Sequence, residues 1–358
     1  MRLLYLTDRL SHRGGAPHHL LDVIAAMSSH HSVTVAAASK DADVELPSGV
    51  NFRRIAGLRS LTKSMNGLSE LLGDADLVHL QNVMNPQAIS KATAGPCVAT
   101  IQDHRTFCPG PGKTLPSGDP CAQAMNDGDC SRCLPDPTQR QSMLNLTQAR
   151  HDALLGARRL IVLSNYMARE LARVGATNST VIPPPVPIGP PKTQPGHGFL
   201  LAGRLVHHKA PQWAHTAWKN AGLNHPLRVA GLGPGSTDLE GAEALGWLRR
   251  DELRQEMAKA RALIFPARWQ EPFGIAGAEA LAMGTPVVVM PSGGTDDWAR
   301  KGTIAVDSIE RMTEALTDLA HRPEAALKLG AEGTQWVAER FSPDRVHRAL
   351  DEVYASVA

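Results

Sequence analysis

The chain has 358 residues, too many for one ordinary core and about right for two domains. It is 42% hydrophobic and 20% charged, which excludes a disordered chain. A formal net charge of +2 gives no case for a dedicated nucleic-acid binder, and no apolar run is long enough to span a bilayer.

From the N-terminus, RLLYLTD (2–8) reads as a buried strand. The run breaks at Thr7, Asp8 and Arg9 with no small-residue cleavage site, which argues for a first strand and against a signal peptide. That reading places the chain in the cytoplasm, where its five cysteines are expected to be reduced or metal-bound rather than paired. GAPHHLLDVIAAMSS (15–29) spaces Leu20, Leu21, Ile24, Ala25 and Met27 as a helix does. SVTVAAA (32–38), ADLVHLQ (75–81), CVATIQD (97–103) and RLIVLS (159–164) read as further strands. The β-α-β alternation predicts a parallel sheet with helices on both faces. The stretch 104–140, rich in Pro, Gly and Cys, breaks the pattern.

At 181–192 the rhythm stops in VIPPPVPIGPPK, whose six prolines continue neither a helix nor a central strand. It then restarts. GFLLAGR (198–204), LRVAGLG (227–233), RALIFPA (261–267) and TPVVVM (285–290) read as strands, and 209–222 and 250–260 as helices. The expected organisation is two Rossmann-like domains, 1–182 (with the Cys-rich insert at 104–140) and 193–341, joined by a linker at 183–192. An amphipathic helix at 342–358 is able to pack back on the N-terminal domain. In such sheets ligands bind outside the carboxyl ends of the strands, so two parallel sheets facing each other would border a central cleft.

The most informative stretch is QEPFGIAGAEALAMGTPVV (270–288), which holds Glu271 and Glu279 with seven residues between them. A helix is expected from about Phe273 to Met283, stopped by Gly284. The free amides of Phe273, Gly274 and Ile275 would then face a phosphate or a polarised oxygen. Glu279, among Ile275, Ala278, Ala280 and Leu281, is costly to desolvate unless it accepts hydrogen bonds, which vicinal sugar hydroxyls would supply.

As a whole this stretch resembles the E-x7-E signature of retaining glycosyltransferases of the GT-B fold, the group known as glycosyltransferase family 4. GRLVHHK resembles the family's Gly-Arg…Lys phosphate motif and VAGLGPG (229–235) its Gly-rich strand end. GWLRRDEL (246–253) resembles the loop that cradles the base, and SGGTDDW (292–298), with Asp296, the loop after the signature. SHRGGAPHH resembles the glycine-rich loop after the first strand. The resemblance implies an α/β, GT-B fold with an N-terminal acceptor domain and a C-terminal donor domain. It implies that Glu271 binds hydroxyls of the donor sugar and Glu279 the ribose. Phe273, Gly274 and Ile275 would hold the sugar and distal phosphate through their amides, and Gly14, Gly15, Gly231 and Gly233 would let backbone approach the donor. Leu248 and Arg249 would meet the base. Arg204 and Lys209 would stabilise the diphosphate leaving group in place of a metal ion.

Two features depart from the family. Gln102 stands where a histidine is usual, followed by Asp103 and His104, so either His104 shifts into the site or Gln102 bonds the sugar instead. The Lys-Gly pair of the family is Lys209-Ala210 here. The second feature is Cys108, Cys121, Cys130 and Cys133, spaced C-x12-C-x8-C-x2-C in an insert with little apolar content. A tetrahedral structural zinc is the leading reading, two disulfides the rival and free thiols the third. Cys97 lies in a strand and reads as a core residue. The histidine pairs at 18–19, 30–31 and 207–208 read as surface, and D-x-D recurs three times (at 41–43, 74–76 and 127–129), too often to assign a metal–nucleotide role.

The function expected is a metal-independent retaining transfer of a sugar from a nucleotide-sugar, UDP- or GDP-linked, to a hydroxyl of a glycan or lipid-linked acceptor in glycan or cell-envelope polysaccharide synthesis. The rivals are an epimerase or phosphorylase on the same fold, or a degenerate nucleotide-sugar-binding protein. No nucleic-acid partner is expected. The cytoplasmic reading extends to peripheral contact at the inner face of the membrane.

Overall fold

The apolar runs form two separate parallel sheets in a computed structural model, which describes residues 1–233 and 239–358. The chain divides into one unit of Met1–Pro185 with Asp344–Ala358 and another of Val186–Pro343. The proline-rich stretch is thus shared out, Pro183–Pro185 with the first unit and 186–192 with the second. Both units are Rossmann-like, the GT-B type of fold.

In the first unit the strands are β1 (Arg2–Leu10), β2 (Ser32–Lys40), β3 (Asn51–Arg54), β4 (Leu77–Gln81), β5 (Cys97–Ile101), β6 (Arg159–Val162) and β7 (Ser179–Val181). Their order is β3-β2-β1-β4-β5-β6-β7, and every pair is parallel. The order reverses between β1 and β4, so the carboxyl ends of these two strands open the natural binding crevice of the sheet. One face is covered by the Gly15–Met27 helix and the C-terminal helix, Pro343–Val357, whose Val346, Leu350, Val353 and Val357 share a core with Leu3, Leu20 and Ile24. That helix is also held by a buried polar chain. Tyr354 lies 2.7 Å from the Tyr5 hydroxyl and 2.5 Å from His79 Nδ1, and His79 Nε2 lies 2.7 Å from Thr100 Oγ1. Burial pushes the His79 imidazole down to about 3, so it stays neutral and bonds without a charge to desolvate.

In the second unit the strands are β8 (Phe199–Ala202), β9 (Leu227–Ala230), β10 (Glu243–Gly246), β11 (Ala262–Phe265), β12 (Val287–Val289) and β13 (Thr303–Ala305). They run β10-β9-β8-β11-β12-β13, again all parallel, with the reversal between β8 and β11. Among the described residues, no helix is long and apolar enough to cross a membrane.

Candidate active site

The loops after β8 and β11 bring together the charged residues singled out in the second unit. The chain leaves β8 through Gly203, at φ +135°, and reaches the exposed Arg204. Beside it, β9 runs into Gly231 and Gly233. A Cβ on Gly231 would sit 1.9 Å from the Gly203 carbonyl oxygen, and one on Gly233 2.4 Å from that of Leu205. Glycine is therefore required for these strand ends to lie side by side, stitched by Leu205 N–H to the Leu232 carbonyl at 3.0 Å. Pro234 and Gly235 of the same motif lie outside the described residues.

Lys209 does not open the next helix as expected. It closes a short 3-10 turn, His207–Lys209, and the helix begins at Pro211. Between them Ala210 adopts φ +47°, a left-handed conformation that costs a non-glycine residue roughly 1–2 kcal/mol. Here the Ala-for-Gly departure has a structural cost. Lys209 forms an ion pair with Glu271, which is only 4% exposed, and its ammonium stands 5.1 Å from the centre of the Trp269 ring. The N–H groups of Arg268 and Trp269 donate to the His208 carbonyl at 3.0 and 3.2 Å, which fastens this loop to the Lys209 turn. Burial, and then the charges of Lys209 and Arg204, push the His208 imidazole down to about 4, so His208, unlike the exposed His207, is not simply a surface residue.

The signature helix runs Ile275–Ala282, two residues shorter at its start than expected. Gly274, at φ +87°, is its cap, and Phe273 is a core residue whose carbonyl accepts the Trp298 indole N–H at 2.6 Å. The first-turn amides therefore belong to Ile275 and Ala276, while Phe273 and Gly274 form the loop that turns into them. Trp298, fully buried, packs so close to Gly277 that a Cβ there would meet the ring at 2.1 Å.

Glu279 is 6% exposed, as its neighbours imply, and Arg250 Nε donates to its Oε1 at 2.8 Å. Arg250 is the residue that sequence reasoning missed. Arg249 is instead exposed, with its backbone N–H bonded to Glu252 at 2.7 Å and its side chain turned towards the same carboxylate, while Leu248 is half-buried. The tandem arginine was a visible signal, but only the helix start at Arg250 decides which of the two reaches Glu279. Asp296 lies exposed on a 3-10 turn, where its carbonyl accepts from Arg300.

In the first unit Gly14, at φ +106°, caps the Gly15–Met27 helix. His19, one turn on, is 5% exposed, which corrects its reading as a surface residue; Leu20 beside it faces the core and carries it inward. Its Nδ1 meets the Gln102 amide, and the Gln102 carbonyl accepts from Asn82 Nδ2 at 2.8 Å. His104 has different partners. It is 2% exposed, 3.1 Å from the Tyr166 hydroxyl and edge-on to Phe107, and burial pushes it down to about 4. Gln102, not His104, shares the strand-end network with His19. Asp103 accepts from Arg105 Nε at 2.7 Å, and this guanidinium outweighs burial to hold the carboxyl below its ordinary range.

In each D-x-D match at least one aspartate is taken up by an arginine: Asp41 with Arg9, Asp76 with Arg2 and Asp127 with Arg140. Cys97 is buried in β5 and burial raises its thiol to about 12. Cys108, Cys121, Cys130 and Cys133 are half-buried, and none is in a disulfide. The Lys113 N–H donates to Cys108 Sγ at 3.3 Å, and burial followed by the neighbouring thiols raises Cys130 and Cys133. Among the described residues no group of three or more His, Cys, Asp or Glu side chains is drawn together as a metal ligand set.

The sequence model of the family "Glycosyl transferases group 1" matches residues 196–322, most of the second unit. Over 220 residues the chain is 26% identical to the uncharacterized glycosyltransferase YqgM of Bacillus subtilis, covering 55% of this chain and 61% of that one. Over 181 residues it is 28% identical to a glycogen synthase of Mycobacterium tuberculosis, covering 46% and 43%. The chain thus spans less than two thirds of these curated relatives. Among solved structures, Anabaena HepE in complex with UDP and glucose superposes with a TM-score of 0.73 at 16% identity, over 99% of this chain and 100% of that one.

Proposed function

We propose that this chain is a retaining glycosyltransferase of family 4 that moves a sugar from a nucleotide-sugar to an acceptor hydroxyl. The observation that carries the reading is the pair of buried, cation-bound carboxylates of the signature, Lys209–Glu271 and Arg250–Glu279, inside the region matched by the group 1 family. The glycosyltransferase name of YqgM and the UDP and glucose of the HepE complex support it.

In this reading Glu271 and Glu279, ion-paired with Lys209 and Arg250, accept hydrogen bonds from hydroxyls of the sugar and the ribose. Leu248 and Arg249 lie towards the base, with Gly231 and Gly233 beside the nucleotide. Arg204 and Lys209 stabilise the diphosphate as charge develops on it, without a divalent ion. Gly14 and Gly15 leave the first-strand loop open to the donor or acceptor, and Gln102 takes the usual histidine's place. The donor is a UDP- or GDP-sugar, and the acceptor a glycan or lipid-linked glycan met in the cytoplasm or at the inner membrane face.

Turnover of UDP-, GDP-, ADP- and dTDP-sugars without acceptor tests this. One donor should be hydrolysed slowly. Arg204→Ala should lower that rate by about 10²–10³-fold, and Glu279→Ala should weaken donor binding by about tenfold or more. Binding of a donor without turnover would sink the enzyme reading and leave a degenerate binding protein, and no binding of any donor would sink both.

For the insert we propose a structural zinc on Cys108, Cys121, Cys130 and Cys133, on ligand chemistry and spacing alone. Protein made in zinc-containing medium should carry about one zinc ion per chain and melt at a lower temperature after chelation. Four titratable thiols and no zinc would dispose of it.

A further inference from the structure

Between the carboxyl ends of β4 and β5 lies a pocket of the first unit whose Arg150 the assignments above leave unused. It holds about 420 Å³, counted out to its open mouth, and is lined by Asn82, Met84, Thr100, Gln102, Arg105 and Arg150 among others. It adjoins the β1–β4 reversal, since Asp8 of β1 accepts the Met84 N–H at 2.9 Å.

Arg150 reaches this pocket from the Pro137–Leu154 helix and is 6% exposed. Its Nε donates to the Met84 carbonyl at 2.9 Å, and its two terminal amino groups make no hydrogen bond or ion pair among the described residues. A buried guanidinium ordinarily spends its planar fork on a carboxylate or a phosphate. The nearby carboxylates do not fill that place. Asp103 is engaged by Arg105, and Asp8 by the Met84 amide. Arg105 and Arg59 add positive charge around the same carboxylates. Burial, and then repulsion from Arg105, lower the Arg150 guanidinium from its ordinary value against the opposing pull of Asp103 and Asp8.

We infer that this pocket binds an anion, with the free fork of Arg150 as its anchor, and that the ligand is the phosphate or carboxylate group of the acceptor. Anion binding stands on the pocket itself; naming the ligand the acceptor rests on the sugar-transfer reading. Asn82, at φ +59°, also lines the pocket and supplies a neutral polar group for the rest of the molecule.

Titration calorimetry with inorganic phosphate tests the site, with glucose 6-phosphate and glucuronate as the arms that separate a phosphate from a carboxylate ligand. Arg150→Met should weaken anion binding by about tenfold or more, and Arg150→Lys by less, because it keeps charge but loses the fork. Asn82→Asp, which leaves the Arg150–Met84 bond intact and tolerates the left-handed backbone, should weaken it by charge repulsion. Arg204→Ala should leave this binding as it is, which separates it from any phosphate held in the second unit. Unchanged binding in both Arg150→Met and Asn82→Asp, or no binding of any of the three anions to the wild type, overturns the inference. UDP is titrated separately. UDP binding without anion binding leaves sugar transfer standing and removes the pocket; anion binding without turnover of any donor does the reverse.

Discussion

Lys209→Met should lower the unfolding free energy by about 3–5 kcal/mol and abolish donor turnover, and adding Glu271→Gln should restore most of the stability and none of the activity. Glu271 is 4% exposed, and Lys209 is its cation. Removing only the ammonium strands a charge that water cannot reach, the costly way to break a buried pair. Neutralising the carboxylate as well removes that penalty. Activity should not follow, because the proposed chemistry uses both groups, one on the diphosphate and one on the sugar. Denaturant unfolding of the wild type, both single variants and the double variant closes the cycle. Additive losses in stability would mean that the two groups do not interact, and the placing of Glu271 would have to be abandoned.

Much of this site was legible because the signature joins two independent signals, a carboxylate inside a small-residue helix and a glycine entry after a buried strand. The central strands β1, β4, β5, β8 and β11 were equally plain, since strands covered on both faces read as continuous apolar runs. The edges were not. The sequences NFRR of β3, STV of β7 and EALG of β10 carry too little apolar side chain to signal a strand, because an edge buries less. The partners of the carboxylates were illegible for another reason. That Arg250 rather than Arg249 meets Glu279 depends on one residue of helix phase. That His19 turns inward to Gln102 depends on a pairing 83 residues apart in the chain. The free fork of Arg150 needs three segments in place before it exists at all.

Asp8 supplies the second large effect, because it stands beside the pocket, bonded to the N–H of Met84 in its lining, and works against Arg150's unfilled role. Burial raises its carboxyl from the ordinary 3.8 to about 7, against the opposing pull of the Met84 amide and of Arg105, Arg59 and Arg150. A raised carboxyl in the folded state means that the unfolded chain releases its proton first. The neutral form's advantage is complete below about pH 4 and is lost as the pH rises towards 7, at a cost of order 4 kcal/mol at most. Asp8→Asn keeps an oxygen for the Met84 N–H and has no charge to desolvate. Its stability should therefore match the wild type near pH 4, exceed it increasingly up to pH 7 and keep a constant lead above that. Unfolding curves across this range read the difference, and a gap that does not grow with pH would mean that Asp8 ionises freely in the folded protein. The same titration should act on the ligand. Sulfate keeps both charges throughout, so any change in its affinity comes from the protein. As Asp8 ionises it becomes a competitor for the Arg150 fork, with Asp103 already committed to Arg105. Sulfate binding should weaken above about pH 7 in the wild type and stay level in Asp8→Asn. A fall of equal size in both would place the titrating group elsewhere in the pocket.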